Sequence, residues 1–479
     1  MNYSIITYIL GWVLSLESVF MLLPCLVAVI YQEKSGFAFL IVALVCFALG
    51  MFIKRKKPQN QLFFAREGFV IVALSWMVMS IFGAMPFVLS GDIPFFIDAL
   101  FETISGFTTT GASILSNVEA LSHASIFWRS FTHWIGGMGV FVFLLAILPM
   151  AGGYNMHLMR AESPGPSVGK LVPKVRETAK ILYSIYFIMT IVEIVLLLIS
   201  KMPLFDAVTL SFGTAGTGGF GIKNDSIAGY SVAIQWIITI FMILFGVNFN
   251  AYYMLLGKDR KHAFKLEEVK WYFLIIIATT GVIAFNIKEL SGGMVKAVRD
   301  AAFQVGSIIT TTGYSTVDFN LWPQLSKSLL VMIMFIGACA GSTGGGIKVS
   351  RIIILFKTVK QEIASFIHPR SVKVIKMDDK AIEKDTIRGV STFLVTYVII
   401  FGVSMLILSF DNLDMVTNFT AITATINNIG PGLEIVGPTG NFGGFSVLAK
   451  LILMFDMLAG RLELYPMLLL FAPSVWKKN

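Results

Sequence analysis

Apolar runs with the length of a membrane span follow one another along the whole chain. Each run approaches the roughly 20 residues that an α-helix needs to cross a hydrocarbon core about 30 Å thick. We count ten such runs, and the pattern predicts an all-α integral membrane protein with ten membrane-spanning helices. The runs lie at about residues 4–31, 37–53, 68–90, 125–150, 181–200, 231–256, 271–288, 326–357, 389–410 and 446–476.

The composition excludes an ordinary soluble protein. Of the 479 residues, 56% are hydrophobic and 14% are charged, whereas soluble domains carry about 25% charged residues. No basic segment precedes the first apolar run, so we interpret that run as a retained span rather than a removed signal peptide. Cys25, Cys46 and Cys339 lack paired spacing, and the sequence predicts no disulfide framework or metal site built on them.

Basic residues concentrate in every second connection between the predicted spans. Short loops rich in Lys and Arg lie in the cytoplasm by the positive-inside rule, so this side is predicted to be cytoplasmic. A nucleic-acid patch is the alternative for such charge, but each basic segment directly abuts a span. The segments are 54–57, 159–180, 257–270 and 357–388.

Four other connections share one pattern: a moderately apolar stretch too short to cross, and then a glycine-rich polar loop. They recur about every hundred residues, and such a period indicates one structural unit used four times. An acidic residue stands 13, 12 and 13 residues before the aligned glycine in the first three copies. The aligned pairs are Asp98 and Gly111, Asp206 and Gly218, Asp300 and Gly313, with Thr417 and Gly430 in the fourth copy.

The threonine and glycine loops, FTTTGAS at 107–113 and ITTTGYS at 309–315 among them, carry the chemistry of the repeat. Irregular backbone is tolerated at membrane depth only where protein buries it or where it lines a water-filled path. Four half-helices around one axis would direct partial negative ends at its centre. Four loops could then present a ring of carbonyl oxygens that replaces the hydration shell of a monovalent cation. The alternative is that each loop is only a tight turn capped by threonine. Four copies in the same register argue against this alternative.

Other motifs in the sequence do not indicate an enzyme. GTGGFG from Gly216 fits GxGxxG, but no strand precedes it. GSTGGGIK from Gly341 places Ile347 between glycine and lysine, which breaks the order of a phosphate-binding loop. The five histidines share no ligand spacing. We therefore predict a transport protein, with nucleotide binding left to a partner.

The four loops, together with FWRSFTHWIGGMGV (127–140) and GSTGGGIKVSR (341–351), resemble the Trk/Ktr/HKT superfamily of potassium transporters. The two spans before the first repeat are most similar to its bacterial Trk-type membrane subunits. The resemblance implies a pseudo-fourfold pore within one subunit, a homodimer, and a cytosolic ring of nucleotide-binding regulatory subunits. Glycine at all four aligned positions implies selectivity for K⁺ over Na⁺. The filter positions that the resemblance implies are Thr110, Gly111, Thr217, Gly218, Thr312, Gly313, Asn428, Ile429 and Gly430.

Closely spaced glycines interrupt the eighth predicted span. Glycine in a helix interior costs roughly 1 kcal/mol, so this run is predicted to unwind below the filter, and the resemblance implies that it forms an intramembrane gate. A seam of small residues for helix packing is the alternative, but three consecutive glycines exceed what packing needs. The predicted gate residues in this run are Gly341, Gly344, Gly345, Gly346 and Lys348.

Arg461, about halfway along the last predicted span, is a further predicted gate residue. A charge at the bilayer centre is costly and must pair or face water. Asp456 and Glu463 are nearby, but neither has the spacing of a same-face helix pair. The resemblance favours Arg461 as an electrostatic barrier in the pore beside the glycine run, and a structural ion pair is the alternative.

The predicted function is potassium uptake across a bacterial inner (cytoplasmic) membrane, with potassium as the transported and bound ion and no organic cofactor. A secondary transporter that couples K⁺ to Na⁺ or H⁺ is the alternative, for which Glu17 and Glu193 are weak candidates. A polytopic membrane enzyme or sensor would need a nucleophile, metal cluster or soluble domain, and none is visible in the sequence. The predicted divisions are two extra spans at 1–65 and pore repeats at 66–158, 159–262, 263–376 and 377–479.

Overall fold

Helices make up most of the residues that the computed structural model describes, which are 1–58, 64–139, 175–257, 260–263, 265–368 and 374–477. In chain order the α-helices are α1 (Tyr3–Phe20), α2 (Leu22–Tyr31), α3 (Ser35–Lys54), α4 (Ala65–Ser90), α5 (Phe96–Phe107), α6 (His123–Met138), α7 (Val175–Ile199), α8 (Leu204–Gly216), α9 (Val232–Phe245), α10 (Phe249–Leu256), α11 (Arg260–Ala263), α12 (Glu267–Ile287), α13 (Met294–Ile309), α14 (Gln324–Ile336), α15 (Val349–Ile367), α16 (Lys384–Leu408), α17 (Met415–Ile426), α18 (Val447–Arg461), α19 (Tyr465–Leu470) and α20 (Pro473–Trp476). Single turns of 3₁₀-helix lie at Val118–Ala120, Phe319–Leu321, Ser409–Asp411 and Glu434–Val436.

Six helical segments among the described residues are long and apolar enough to cross a membrane, or seven if one bent pair is a single span. The predicted helical membrane fold is therefore confirmed, while the count of ten spans stays a prediction. Residues 140–150 of the fourth predicted span, the repeat boundary at 158/159 and most of the basic segment 159–180 lie outside the described residues. The six segments are Tyr3–Tyr31, Ser35–Lys54, Ala65–Ser90, Glu177–Ile199, Glu267–Ile287 and Lys384–Asp411.

Among the described residues, the sixth, eighth and tenth predicted spans are broken helices. The sixth bends by 91° between α9 and α10, at Gly246. The eighth is interrupted from residue 337 to residue 348, between α14 and α15, which confirms the predicted unwinding. The tenth ends its first helix at Arg461, because Glu463 and Leu464 adopt left-handed φ angles. Arg461 therefore stands at the break between two helices, roughly halfway along the last predicted span.

Four short helices, α5, α8, α13 and α17, precede the glycine-rich loops. They have 12, 13, 16 and 12 residues, and at 1.5 Å per residue none is long enough to cross the hydrocarbon core. These elements agree with the half-helices that the sequence predicts.

The half-helices pack in a cyclic order. Each contacts the helix before it and the helix after it along the chain, as α5 contacts α4 and α6. Each also contacts the helix that returns from the preceding loop, so that α8 packs on α6, α13 on α9, and α17 on α14. The cycle closes because α5 packs on α18.

The first helices and one short ribbon lie apart from this cycle. Helices α1 and α3 pack on each other and on α4, so the N-terminal helices flank the first half-helix unit. Lys376–Met377 and Lys380–Ala381 form strands β1 and β2 of an antiparallel hairpin. The all-α prediction missed this hairpin, which forms because Asp378 and Asp379 both take the left-handed φ angles of a tight two-residue turn.

Candidate functional site: four loops and an intramembrane plug

The four glycine-rich loops share one backbone conformation. In each loop two residues with left-handed φ angles stand on either side of one residue with an ordinary φ angle. Glycine occupies the second left-handed position every time, because that conformation is costly for side chains with a β-carbon. The pairs, with their φ angles, are Thr109 (54°) and Gly111 (78°), Thr217 (53°) and Gly219 (74°), Thr311 (58°) and Gly313 (89°), and Asn428 (55°) and Gly430 (99°).

The same backbone hydrogen bond joins each loop to its half-helix. The N–H of the residue between the two left-handed positions donates to the carbonyl five residues earlier, on the last turns of the helix. This bond satisfies a carbonyl that a helix end would otherwise leave unpaired. The bonds are Thr110 to Ser105 (2.9 Å), Gly218 to Gly213 (2.8 Å), Thr312 to Ser307 (2.8 Å) and Ile429 to Ala424 (2.8 Å).

This geometry corrects the predicted alignment of the second loop. Gly219, and not Gly218, is the counterpart of Gly111, and Gly218 is the counterpart of Thr110. The new register places Asp206 13 residues before the glycine, the same spacing as in the other loops. GTGG offers two adjacent glycines for the aligned position, and the φ angles together with the backbone hydrogen bond identify the second as the counterpart.

The four loops meet in a closed ring. A β-carbon added to Gly111 would overlap the carbonyl oxygen of Gly218, and one added to Gly219 would overlap that of Thr312. The same relation continues round the ring, from Gly313 to the carbonyl of Ile429 and from Gly430 to the carbonyl of Thr110. Each glycine therefore lets the next loop approach its backbone, and the four carbonyl-bearing residues are Thr110, Gly218, Thr312 and Ile429.

An open cavity of about 190 Å³ lies against this ring. All four of the glycines, Gly111, Gly219, Gly313 and Gly430, line it, and so do polar backbone segments of the loops that follow them. The ring thus opens into a cavity that is lined by the loop segments following the four glycines.

Side-chain hydrogen bonds of threonine and asparagine stabilise the loops. The hydroxyls of Thr108 and Thr110 lie 2.8 Å apart, and those of Thr310 and Thr312 lie 2.7 Å apart. The Asn428 amide donates to the Thr110 hydroxyl at 2.9 Å and to the Met457 carbonyl. Asn428 therefore ties the fourth loop, which lacks the Thr-Thr-Thr sequence, to the first loop.

A buried ion pair that the sequence analysis did not select braces the first two loops. Arg129 Nε lies 2.5 Å from Glu102 Oε1, and both side chains are almost fully buried. Glu102 also accepts from the Ser113 hydroxyl (2.9 Å) and the Ile114 N–H (3.0 Å) behind the first loop. Arg129 donates to the Gly221 carbonyl behind the second loop at 2.9 Å. The signal in the sequence for this ion pair was the charge of Arg129 within the otherwise uncharged stretch FWRSF.

The outer ends of the half-helices are held by different partners. Asp98 pairs with Lys450 at 2.7 Å, and Asp206 accepts from the Tyr230 hydroxyl at 2.8 Å. In the fourth unit Asp414 caps α17 and accepts from both the backbone N–H and the hydroxyl of Thr417. Burial acts to raise the pKa of Asp414, but these hydrogen bonds outweigh it and hold the pKa below its ordinary value.

The interrupted segment between α14 and α15, residues 337–348, lies directly against the inner ends of the third and fourth loops, and we call it the glycine plug. The Gly345 N–H donates to the Thr311 hydroxyl at 2.6 Å. A β-carbon on Gly345 would overlap the carbonyl oxygen of Asn427, and one on Gly344 would crowd that of Thr310. Three of the predicted gate glycines, 344–346, thus lie in the segment that packs under the ring.

The other predicted gate residues secure the ends of the plug. Lys348 Nζ donates to the Gly344 carbonyl, so it closes the segment on itself. Gly341 lies at the elbow between α9 and α10, where its carbonyl accepts from the Phe249 N–H at 3.0 Å. Gly341 is therefore part of the same segment but is positioned by the broken sixth span.

Arg461 joins the plug to the first loop's returning helix, α6. Its guanidinium donates to the Thr343 carbonyl at 2.8 Å, and to the carbonyls of Gly136 and Gly137. The two acids considered as its partners have others: Asp456 accepts from Ser404, and Glu463 pairs with Arg351. Backbone carbonyls, which sequence spacing does not reveal, thus contact this buried charge.

These features define a class: a helical membrane protein in which short helices bring carbonyl-bearing loops together, an arrangement that ion-selective membrane proteins use. A family model, TrkH, described as "Cation transport protein", matches residues 35–478. The chain therefore belongs to the TrkH family of cation transport proteins.

Individual relatives match over the full length. The Trk system potassium uptake protein TrkH of Salmonella typhimurium is 39% identical, and that of Escherichia coli strain K12 is 38% identical, each over 100% of both chains. The crystal structure of the potassium transporter TrkH from Vibrio parahaemolyticus aligns with a TM-score of 0.89 and 34% identity over 100% of both chains. Membership in this family of transporters confirms the predictions of a multi-pass inner-membrane protein and of transport rather than catalysis.

Proposed function

We propose that the chain is a potassium uptake subunit whose ion pathway passes through the ring of carbonyls at Thr110, Gly218, Thr312 and Ile429. The observation that carries the proposal is the closed succession in which each loop glycine abuts the carbonyl of the next loop. Such carbonyls can replace the hydration shell of a monovalent cation. Similar proteins named as potassium uptake proteins support K⁺ as that ion.

The architecture proposed with this function has ten membrane-spanning helices: two at 1–65 and two in each of four pore units. The cyclic packing of α5, α8, α13 and α17 supports a pseudo-fourfold axis. The basic connections are assigned to the cytoplasm, so the half-helices enter from the outside and direct their partial negative ends at the centre. The loop residues predicted from the resemblance, with Gly219 added, form the filter.

The glycine plug and Arg461 are proposed as the gate of this pathway. The plug packs under two of the four loops, and Arg461 fastens it to α6 through Thr343. The charge of Arg461, placed below the ring, opposes a cation that leaves the filter. A cytosolic nucleotide-binding ring is proposed to move this plug in a homodimer, with residues 357–388 as its docking region.

Rb⁺ uptake into liposomes that contain the purified chain tests the filter. We expect K⁺ to block uptake far better than Na⁺, and Gly313→Ser to weaken this discrimination by about tenfold. The serine would cost roughly 1–2 kcal/mol at a left-handed φ angle and would overlap the Ile429 carbonyl. Gly402→Ser is the matched control, because Gly402 lies in a helix with open space around it. Unaltered discrimination in Gly313→Ser would contradict the assignment of the filter.

A transporter coupled to H⁺ is the second candidate, and the observation that favours it is Glu193, which is fully buried in α7. If uptake were coupled, a K⁺ gradient would drive proton movement, read with a pH-sensitive dye inside the liposomes. Glu193→Gln would abolish that movement. We expect no K⁺-driven proton movement in the wild type, which would favour the uncoupled pathway.

A further inference from the structure

An apolar groove of about 490 Å³ lies between α12 and the two helices that flank the glycine plug. Its walls carry large apolar side chains, and its charged residues gather at one end. We call the groove the α12–α15 groove. The apolar wall residues are Trp271, Ile275, Ile336, Val349, Ile352, Ile353 and Phe356, and the residues at the charged end are Glu267, Lys357 and Lys360.

The charged end has a net positive charge. Lys357 Nζ lies 2.6 Å from Glu267 Oε2 and also donates to the Lys376 carbonyl. Lys360 is exposed and stands three residues later, on the same face of α15. One acid therefore balances one of the two lysines, and the ammonium group of Lys360 remains available to an anion at the mouth of the groove.

The groove runs from the membrane surface into one leaflet. Glu267 begins a candidate span, and Ile275 lies eight residues further, about 12 Å along the helix. Trp271 stands between them and is 46% exposed, as is common for tryptophan at a membrane interface. The positively charged end of the groove at the surface and its apolar walls in the leaflet match a lipid with an anionic headgroup.

We propose that the α12–α15 groove binds an anionic phospholipid, with its headgroup at Lys360 and an acyl chain against Ile275 and Ile353. An acyl chain there also touches Ile336 and Val349, the residues on either side of the glycine plug. The bound lipid thus fixes the spacing between α14 and α15 and holds the plug under the filter. This last step rests on the proposed gating function, while the binding site does not.

Retention of lipid by the purified full-length chain tests the site. We expect native mass spectrometry to show phosphatidylglycerol retained in preference to phosphatidylcholine. Lys360→Gln should weaken retention of phosphatidylglycerol about fivefold, because it removes one positive charge from the membrane surface. Ile275→Trp should abolish retention of the lipid, because the larger side chain would fill the α12–α15 groove. Lys384→Gln is the matched control, since Lys384 is an exposed lysine outside the groove.

Three results would overturn the site. The first is equal retention in the wild type, Lys360→Gln and Ile275→Trp. The second is competition by inorganic phosphate as effective as competition by the lipid, which would mean a headgroup site alone. The third is efficient cross-linking of Phe356→Cys between two chains in the membrane, which would mean that a second copy fills the groove.

Rb⁺ leak without any partner tests the effect on the gate. We expect leak to be lower in vesicles with one part phosphatidylglycerol to four parts phosphatidylcholine than in phosphatidylcholine alone, and Lys360→Gln to lose this difference. Lipid retention without an effect on leak would overturn the gating step. Absence of Rb⁺ flux in every preparation would count against the proposed function, and retention would still decide for or against the lipid site.

Discussion

Glu102 and Arg129 illustrate what a single buried residue contributes to the ring of loops. Each side chain bonds the backbone that follows a loop, Glu102 behind the first loop and Arg129 behind the second. Arg129 also lies over the Phe220 ring, with the guanidinium carbon 3.6 Å from the ring centre. The pair therefore couples the shapes of two neighbouring loops.

Arg129→Gln is expected to destabilise the protein by about 3–5 kcal/mol, because it leaves the Glu102 carboxylate buried without its counter-charge. Thermal unfolding in detergent measures the loss. Lys180→Gln is the control, since the Lys180 and Glu177 side chains are 48% and 51% exposed in a 3.7 Å pair and exposed pairs contribute about 0–1 kcal/mol. Adding Glu102→Gln to Arg129→Gln should restore part of the stability, and a further loss would contradict this account.

Residue identity could be predicted from the sequence better than residue partners. Thr110, Gly111, Thr312 and Gly313 were selected from a repeated motif, and the ring contains all four. The partners of Arg461 were missed because they are carbonyls of helices remote in sequence, and no side-chain pattern marks a carbonyl.

At the scale of elements, the glycine plug shows why a strong local signal can be trusted. Three consecutive glycines make a helix unfavourable by roughly 1 kcal/mol each, and the interruption that contains them begins where α14 ends, at Gly337 with its positive φ angle. The breaks after Phe245 and Arg461 carry no such run, so the apolar pattern predicted continuous spans there. Hydropathy reports burial in lipid, not the continuity of a helix.

Gly345→Ala is expected to raise Rb⁺ leak without a partner severalfold, because its β-carbon would overlap the Asn427 carbonyl and displace the plug from under the loops. The measurement is the initial rate of uptake into liposomes. Gly389→Ala is the control, as a β-carbon there meets open space in α16. Leak at the wild-type rate in Gly345→Ala would argue against the plug as the closed gate.

At the scale of the whole molecule, the polar loops outside the ring repeat its cyclic order. The Val118 N–H donates to Asn224 (2.8 Å), and the Ile227 N–H donates to the Ser315 carbonyl (3.0 Å). Two further bonds complete the circle, from Glu434 N–H to Asn320 (3.0 Å) and from Phe442 N–H to the Ser113 carbonyl (2.8 Å). The four units are thus joined at two levels, in the ring and in the loops outside it. The sequence indicated only that the unit recurs about every hundred residues.

A molecule closed in this way should be stabilised by the ion that fits its ring. Because a ligand that binds only the folded state stabilises it by RT ln(1 + [L]/Kd), K⁺ at a hundred times its Kd would add about 2.7 kcal/mol. We expect the purified chain to unfold at a temperature a few degrees higher in KCl than in NaCl at equal ionic strength. Gly313→Ser should lose most of this difference and Gly402→Ser should keep it. Equal unfolding temperatures of the wild type in both salts would contradict a K⁺-selective ring, because general salt effects on the surface act in both solutions alike.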